Sequence, residues 1–261
     1  MSKHYDMPDI NEVNKRIRKC RLDGTGVLDI SNLYLTKIPA EIREIKNLRT
    51  LNISANNFSI LPSWLGEFIY LEELDISLSG LSTVPEFIGK LKNLKSLHLG
   101  RSGMCRLPLA VVAFGGKNQI FNNKLDKLPD FLATLTNLTN LNLGYTALKL
   151  IPDSLRAMKL ESLHLNNNDL TKIPQWLGSM TSLKKLDLSG NENLKSLPKS
   201  INRLYNLEFL NICELPLKRI PKSIRKLKNL KILSLGGNDK LYFNFLRTYF
   251  FSKPLKIPHW L

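Results

Sequence analysis

The side chains best suited to chemistry at neutral pH are four histidines and three cysteines, and their spacing builds no familiar reaction centre. Cys20, Cys105 and Cys213 are too far apart for a zinc pair and odd in number, which points to free thiols in a reducing compartment. No phosphate loop or dinucleotide fingerprint occurs, and the glycines are scattered. His98 and His164 fall at one position of a recurring pattern, three units apart. With strands about 4.8 Å apart they would stand roughly 14 Å from each other, too far to share a metal. Asp75 holds the same position one unit before His98, so the two are expected to touch. The third member of a nucleophilic triad is missing, since Ser77 sits two positions along from Asp75. A cross-strand hydrogen bond is the expectation. With it comes a chain that has no catalytic residues, no metal and no cofactor.

The pattern that sets these positions is a repeat. Eleven of the 13 prolines follow Leu, Ile or Val, and nine of these (Pro39, Pro62, Pro85, Pro108, Pro129, Pro152, Pro174, Pro198 and Pro221) are separated by 23, 23, 23, 21, 23, 22, 24 and 23 residues. The unit from Leu71 to Asn93 shows its parts. Leu71, Leu74 and Ile76 alternate with Glu73, Asp75 and Ser77, as in a short strand with one buried face. A turn follows whose slot holds Asn56, Ser79, Ser102, Asn123, Thr146, Asn168, Asn191, Leu215 and Asn238 in successive units. Asparagine there can bond backbone groups that a strand-ending bend leaves unpaired. Val84-Pro85, Ile88 and Leu91 then return the chain at roughly helical spacing. One unit cannot bury its apolar side alone, so neighbours must stack into a solenoid with a parallel sheet on one face.

The segment LESLHLNNNDL (Leu160 to Leu170) meets the pattern L-x-x-L-x-L-x-x-N-x-L, and the chain thereby resembles the leucine-rich repeat family. Its LP-x-x-[IL] continuation is similar to the 23-residue intracellular subclass, which includes Ras-binding scaffolds, plant Ras-group-related proteins and bacterial cytoplasmic repeat proteins. The resemblance implies an α/β fold: a right-handed horseshoe with a parallel concave sheet, covering about ten units over residues 25–241. Residues 1–24 are expected to form an N-terminal cap. Asp9 and Glu12 have capping-box spacing, and Ile10, Val13 and Ile17 share one helical face with Cys20 beside them over 9–22. Residues 242–261 are expected to cap the other end, with six aromatics in 242–251. One unit is damaged: from Gly115 it places Asn118 where a core leucine belongs, and a change of curvature is expected near 110–120.

Repeat-containing bacterial ubiquitin ligases carry a catalytic domain after the repeats, and the residues after Leu241 are too few to hold one. The resemblance therefore implies a protein-interaction module, cytoplasmic or delivered into a host cytosol as a bacterial effector. The chain opens without a secretory signal and has no run of 18 apolar residues. A monomer is expected.

The net charge of +16 first suggests a polyanion partner. On the repeat register, however, the outward positions of the concave face carry seven cations and eight anions. That face is close to neutral. Its last outward slot places Leu78, Arg101 and Tyr145 near Phe121, His98 and His164, the composition of an interface hot spot. A partner protein is expected to bind there. The cations concentrate on a flank of Lys218, Arg219, Lys222, Arg225, Lys226 and Lys228, within a stretch from Pro216 onward that holds eleven Lys and Arg and one acid. A second set (Lys37, Arg106, Lys127, Lys172, Arg219) lies two residues before a proline and would line one edge. The flank leaves an alternative open: docking to an acidic protein, an anionic lipid surface or nucleic acid. The last is disfavoured, because aromatics do not interleave with the cations.

Overall fold

The computed structural model describes residues 8–58, 60–101 and 122–238. A helix, α1 (Ile10–Asp23), begins where the Asp9 carboxylate accepts the Glu12 N–H at 2.9 Å, and stops at Gly24 with φ +63°. Val13, Ile17 and Cys20 are buried against the first repeat, whereas Ile10, expected on the same face, is 53% exposed. It stands at the first position of the helix.

Nine strands follow, each three residues long: β1 (Val27–Asp29), β2 (Thr50–Asn52), β3 (Glu73–Asp75), β4 (Ser96–His98), β5 (Asn140–Asn142), β6 (Ser162–His164), β7 (Lys185–Asp187), β8 (Phe209–Asn211) and β9 (Ile232–Ser234). They pair in parallel and in chain order, with Leu28, Leu51, Leu74, Leu97, Leu141, Leu163, Leu186, Leu210 and Leu233 in one register. Those central leucines are buried, as β-alternation requires. On the far side the units of β1 to β8 return through five-residue 3-10 helices, from Ala40–Glu44 to Lys222–Lys226, each preceded by one of the repeat prolines. The proline carbonyl accepts the N–H three residues on, as from Leu65 to Pro62 at 3.1 Å. The buried apolar residues of all units form one continuous core.

The turn asparagines hold the units together. Asn56 Oδ1 accepts the N–H groups of Leu33 and Leu35, while its Nδ2 donates to the carbonyls of Ile30 and Ile53. Asn168, Asn191 and Asn238 act likewise.

Asn123 corrects the register read from the sequence. It accepts the N–H groups of Ser79 and Leu81 and donates to the carbonyls of Ile76 and Leu99, so it is the turn asparagine of the unit that begins with β4. The unit expected from Gly115, with Asn118 in a core position, has no place between β4 and β5, which pair directly as Leu97 with Leu141 and His98 with Asn142. Arg101 and Asn123 take consecutive positions of one repeat, and the 21 residues between them interrupt it. The expected change of curvature at 110–120 and the aromatic cap at 242–261 lie outside the described residues.

Candidate functional site on the open face of the sheet

The outermost row of the face is an ion-pair ladder. Glu72 accepts from Arg49 Nη1 at 2.7 Å on one side and from Lys95 Nζ at 2.6 Å on the other. Lys184 pairs with Glu161 at 3.0 Å and Lys231 with Glu208 at 2.6 Å. The Lys95 ammonium, with the Arg49 guanidinium, holds the Glu72 carboxyl below its usual range, and Lys231 does the same to Glu208. Alternating signs 23 or 24 residues apart thus neutralise this row locally.

Next inward is a row of Asx turns. Asp29, Asn52, Asp75, Asn142, Asp187 and Asn211 each accept, through a side-chain oxygen, the N–H two residues on. Three strands depart from it, β9 with Ser234, and β4 and β6 with His98 and His164. Their Nε2 atoms meet Ser96 Oγ at 2.9 Å and Ser162 Oγ at 3.0 Å. Two strand spacings, about 10 Å, separate the histidines, one fewer than the sequence register implied. The expected Asp75–His98 contact is also corrected. Asp75 Oδ1 is committed to the Ser77 N–H, and His98 lies 3.9 Å from Glu73 instead. Burial pushes the His164 pKa below its ordinary value, with Asp187 opposing and His98 adding to the fall. Among the described residues no group of three His, Cys, Asp or Glu is placed to hold a metal.

Beyond the strands, the slot of Leu78 and Tyr145 adopts a left-handed turn. Asn32, Ala55, Leu78, Tyr145, Asn167 and Glu214 all have φ between 53° and 58°. The conformation is uncommon for large side chains. It turns them aside from the strand alternation on which the sequence reading relied. Leu78 is consequently buried at 6% exposure and is not displayed outward as expected. Tyr145 remains half-buried, and the Arg101 guanidinium lies 5.2 Å from the centre of its ring. Phe121 lies outside the described residues. The structure therefore brings Arg101 and Tyr145 together, flanked by His98 and His164.

The row between the histidines and this pair holds Ser54, Ser77, Gly100, Gly144, Asn166 and Ser189. Asn166 is fully buried, and neither its Oδ1 nor its Nδ2 has a hydrogen-bond partner. An unsatisfied buried polar atom costs about 1–3 kcal/mol. Sequence reasoning missed this residue and the Asx row. The row was legible in the recurring Asx-x-Ser/Gly pattern, but the isolation of the Asn166 amide was not.

Away from the sheet, Lys218, Arg219, Lys222, Arg225, Lys226 and Lys228 are exposed on the β8–β9 side. Among the described residues no carboxylate lies within ion-pair reach of Lys218, Arg219, Lys222, Lys226 or Lys228. The proline-edge row is not continuous. Ile60, 78% exposed, and Leu150, 56% exposed, take that position between Lys37, Lys127, Lys172 and Arg219, and Arg106 lies outside the described residues. No helix among the described residues is long and apolar enough to cross a membrane.

Comparison with known proteins agrees with this geometry. The family described as Leucine Rich repeats (2 copies) matches residues 159–202, and Leucine Rich Repeat matches 47–68. Curated proteins give no match. Among solved structures, internalin C2 of Listeria monocytogenes is 20% identical with a TM-score of 0.65, over 88% of this chain and 93% of that one. The leucine-rich repeat domain of the type III effector XopL is 22% identical with a TM-score of 0.63, over 90% and 86%. The plant peptide hormone receptor RGFR1, solved in complex with RGF2, is 27% identical with a TM-score of 0.54. The match covers 82% of this chain but 38% of the receptor. The fold is the leucine-rich-repeat solenoid, an architecture that generally serves protein interaction.

Proposed function

We propose that this leucine-rich-repeat solenoid is a non-catalytic module that binds a partner protein on the concave face of its sheet, around Arg101 and Tyr145. The stacking of Arg101 on Tyr145 carries the reading: it sets a cation and an aromatic ring beside strands β4 to β6, whose outward positions hold Ser96, His98, Asn140, Asn142, Ser162 and His164. Nine strands about 4.8 Å apart make the face roughly 40 Å long, enough for about 800 Å² of contact per partner. Because the outermost charges are already paired, the partner is selected by shape and polarity and not by net charge. Repeat length and the LP-x-x pattern support an intracellular, cytoplasmic setting. The likeness to a type III effector domain supports the variant in which the cytosol is a host's. Arg101→Glu combined with Tyr145→Ala is expected to abolish co-purification of the partner from the native cell type with little loss of thermal stability. Unchanged capture overturns the reading.

A second reading rests on the exposed cations Lys218, Arg219, Lys222, Lys226 and Lys228, which form no ion pair among the described residues. They suit an anionic surface. It predicts binding to vesicles rich in acidic lipid that fades as salt rises above about 0.15 M. Absent or salt-independent binding rejects it.

A further inference from the structure

The side of the solenoid that returns the chain carries charge unevenly along its length. The seven residues after each of Pro39, Pro62, Pro85, Pro129, Pro152 and Pro174 hold six acids and six cations in all. Some of these pair between units, as where Arg43 Nε donates to the Glu67 carboxylate at 2.9 Å. After Pro198 and Pro221 the same positions hold Lys199, Arg203, Lys222, Arg225, Lys226 and Lys228, all exposed, and no acid. These two segments lie side by side. Ser223 Oγ donates to the Lys199 carbonyl at 3.4 Å at one end, and Asn229 Nδ2 donates to the Tyr205 carbonyl at 2.8 Å at the other. Lys199, Arg203, Lys222, Lys226 and Lys228 form no ion pair among the described residues. Like charges gathered this closely repel one another. The architecture does not require them, since the earlier units return through balanced segments.

The chemistry of the patch indicates the anion it suits. Four of the six cations are lysines, point charges on flexible stems without the planar fork that grips one carboxylate or phosphate in a fixed geometry. Such an array answers many mobile negative groups better than a single fixed one. Tyr205 ends the first segment, in the position that Lys228 takes in the second, and is 58% exposed. An amphipathic ring among cations matches the boundary between lipid headgroups and acyl chains. A nucleic-acid strand is held instead by aromatics in series along a basic groove, and the two segments hold no second aromatic.

We propose that the two return segments that follow β7 and β8 dock on a membrane leaflet rich in acidic phospholipid, with the six cations over the headgroups and Tyr205 at the interface. This rests on the reading that the basic flank meets an anionic surface, and it fixes which side makes the contact. Lys199, Arg203 and Tyr205 join it, while Lys218 and Arg219, before Pro221, stand to the side. The sheet lies across the core from the return segments, so Arg101 and Tyr145 stay clear of the leaflet and free for a partner. Each cation near such a surface raises partition about fivefold, and six together give an association constant of about 10⁴ M⁻¹, weak enough to reverse.

The test sediments the full chain with vesicles of phosphatidylcholine, with and without phosphatidylserine. Wild type is expected to sediment only with the acidic vesicles. Lys199→Gln combined with Arg203→Gln is expected to weaken this about 25-fold, Lys222→Gln with Lys226→Gln by about as much, and Lys218→Gln with Arg219→Gln by about fivefold or less. Tyr205→Ser should weaken binding and Tyr205→Trp should keep it. A loss for the Lys218 and Arg219 pair that equals or exceeds that for Lys199 and Arg203 overturns this inference and leaves the anionic-surface reading standing. No sedimentation of wild type with acidic vesicles overturns both. Oligothymidylate that binds wild type more tightly than the acidic vesicles do, at equal phosphate and salt, assigns the face to nucleic acid and overturns the inference.

Discussion

Two rows of short polar side chains run the length of the solenoid, one inside its turns and one on its open face, and they are filled by different rules. The inner row (Asn56, Asn123, Asn168, Asn191, Asn238) is buried, and each member bonds the backbone of two successive units. The outer row caps its own unit, one N–H per side chain, and reaches the preceding unit where Asn52 donates to Asp29 and Asn211 donates to Ser189 Oγ. A change in the inner row unseats two repeats. A change in the outer row costs fewer bonds between units, and that row is altered at β4, β6 and β9, with His98, His164 and Ser234, without loss of the fold. Two of the departures, at β4 and β6, flank β5, beside Arg101 and Tyr145. The inner row fixes the architecture; the outer one tolerates exceptions.

The comparison breaks first at Asn168. Asn168→Ala removes bonds to Thr146 N, Leu148 N, Leu143 O and Leu165 O and leaves those groups buried. The expected loss is about 3 kcal/mol or more in a denaturant melt. A loss below about 1 kcal/mol would remove the distinction between the rows. Gly144→Ala comes next, since its methyl group must displace the Arg101 carbonyl or the Asn166 amide. Overpacking of this kind costs about 1–3 kcal/mol, and Ser77→Ala, at a position that already accepts a side chain, is the control.

A sharper contrast comes from restoring the outer row. His164→Asn returns the Asx turn that Asn142 makes in the strand before it, with an expected gain of about 0.5–1.5 kcal/mol. It should also flatten the acid response. Burial holds the folded His164 pKa below its ordinary 6.5, so on acidification the unfolded chain takes up the proton first. The stability His164 contributes above pH 6.5 is lost as the pH falls towards the folded value. Melts at pH 7.5 and 5.5 should therefore converge in His164→Asn. An undiminished gap would place the acid response elsewhere.

Much of this was legible in the sequence because the repeat restates itself. Proline spacing gave the unit length, alternation gave the buried leucines, and the Asn slot gave the inner row. The site was legible only in part. Arg101 and Tyr145 were assigned to one neighbourhood correctly, but Leu78 was not displayed, since the left-handed turn at its slot overrides strand alternation. Whether a buried asparagine finds a partner depends on atoms from three strands, which no local pattern encodes. The register failed at one point for a physical reason: Leu107-Pro108 and the glycines after it imitate a repeat closely enough to be counted as one.

That imitation supports the prediction with the smallest expected effect. Excising residues 102–122 joins Arg101 to Asn123 and sets Pro85 and Pro129 at the 23-residue spacing that prevails elsewhere. Arg101 keeps its N–H bond to the Gly144 carbonyl, and Asn123 keeps its bonds to Ser79, Leu81, Ile76 and Leu99. No strand pair changes, because β4 already pairs with β5. An insertion within one repeat adds loop-closure entropy that grows by only about 0.6 kcal/mol per doubling of length, so removing it should lower or raise stability by about 1 kcal/mol or less. A count of repeats from prolines alone predicts the opposite, since losing a stacked unit would strip two interfaces from the core. Retained cooperative unfolding after excision assigns those residues to an interruption of one repeat; collapse of the transition would return them to the solenoid.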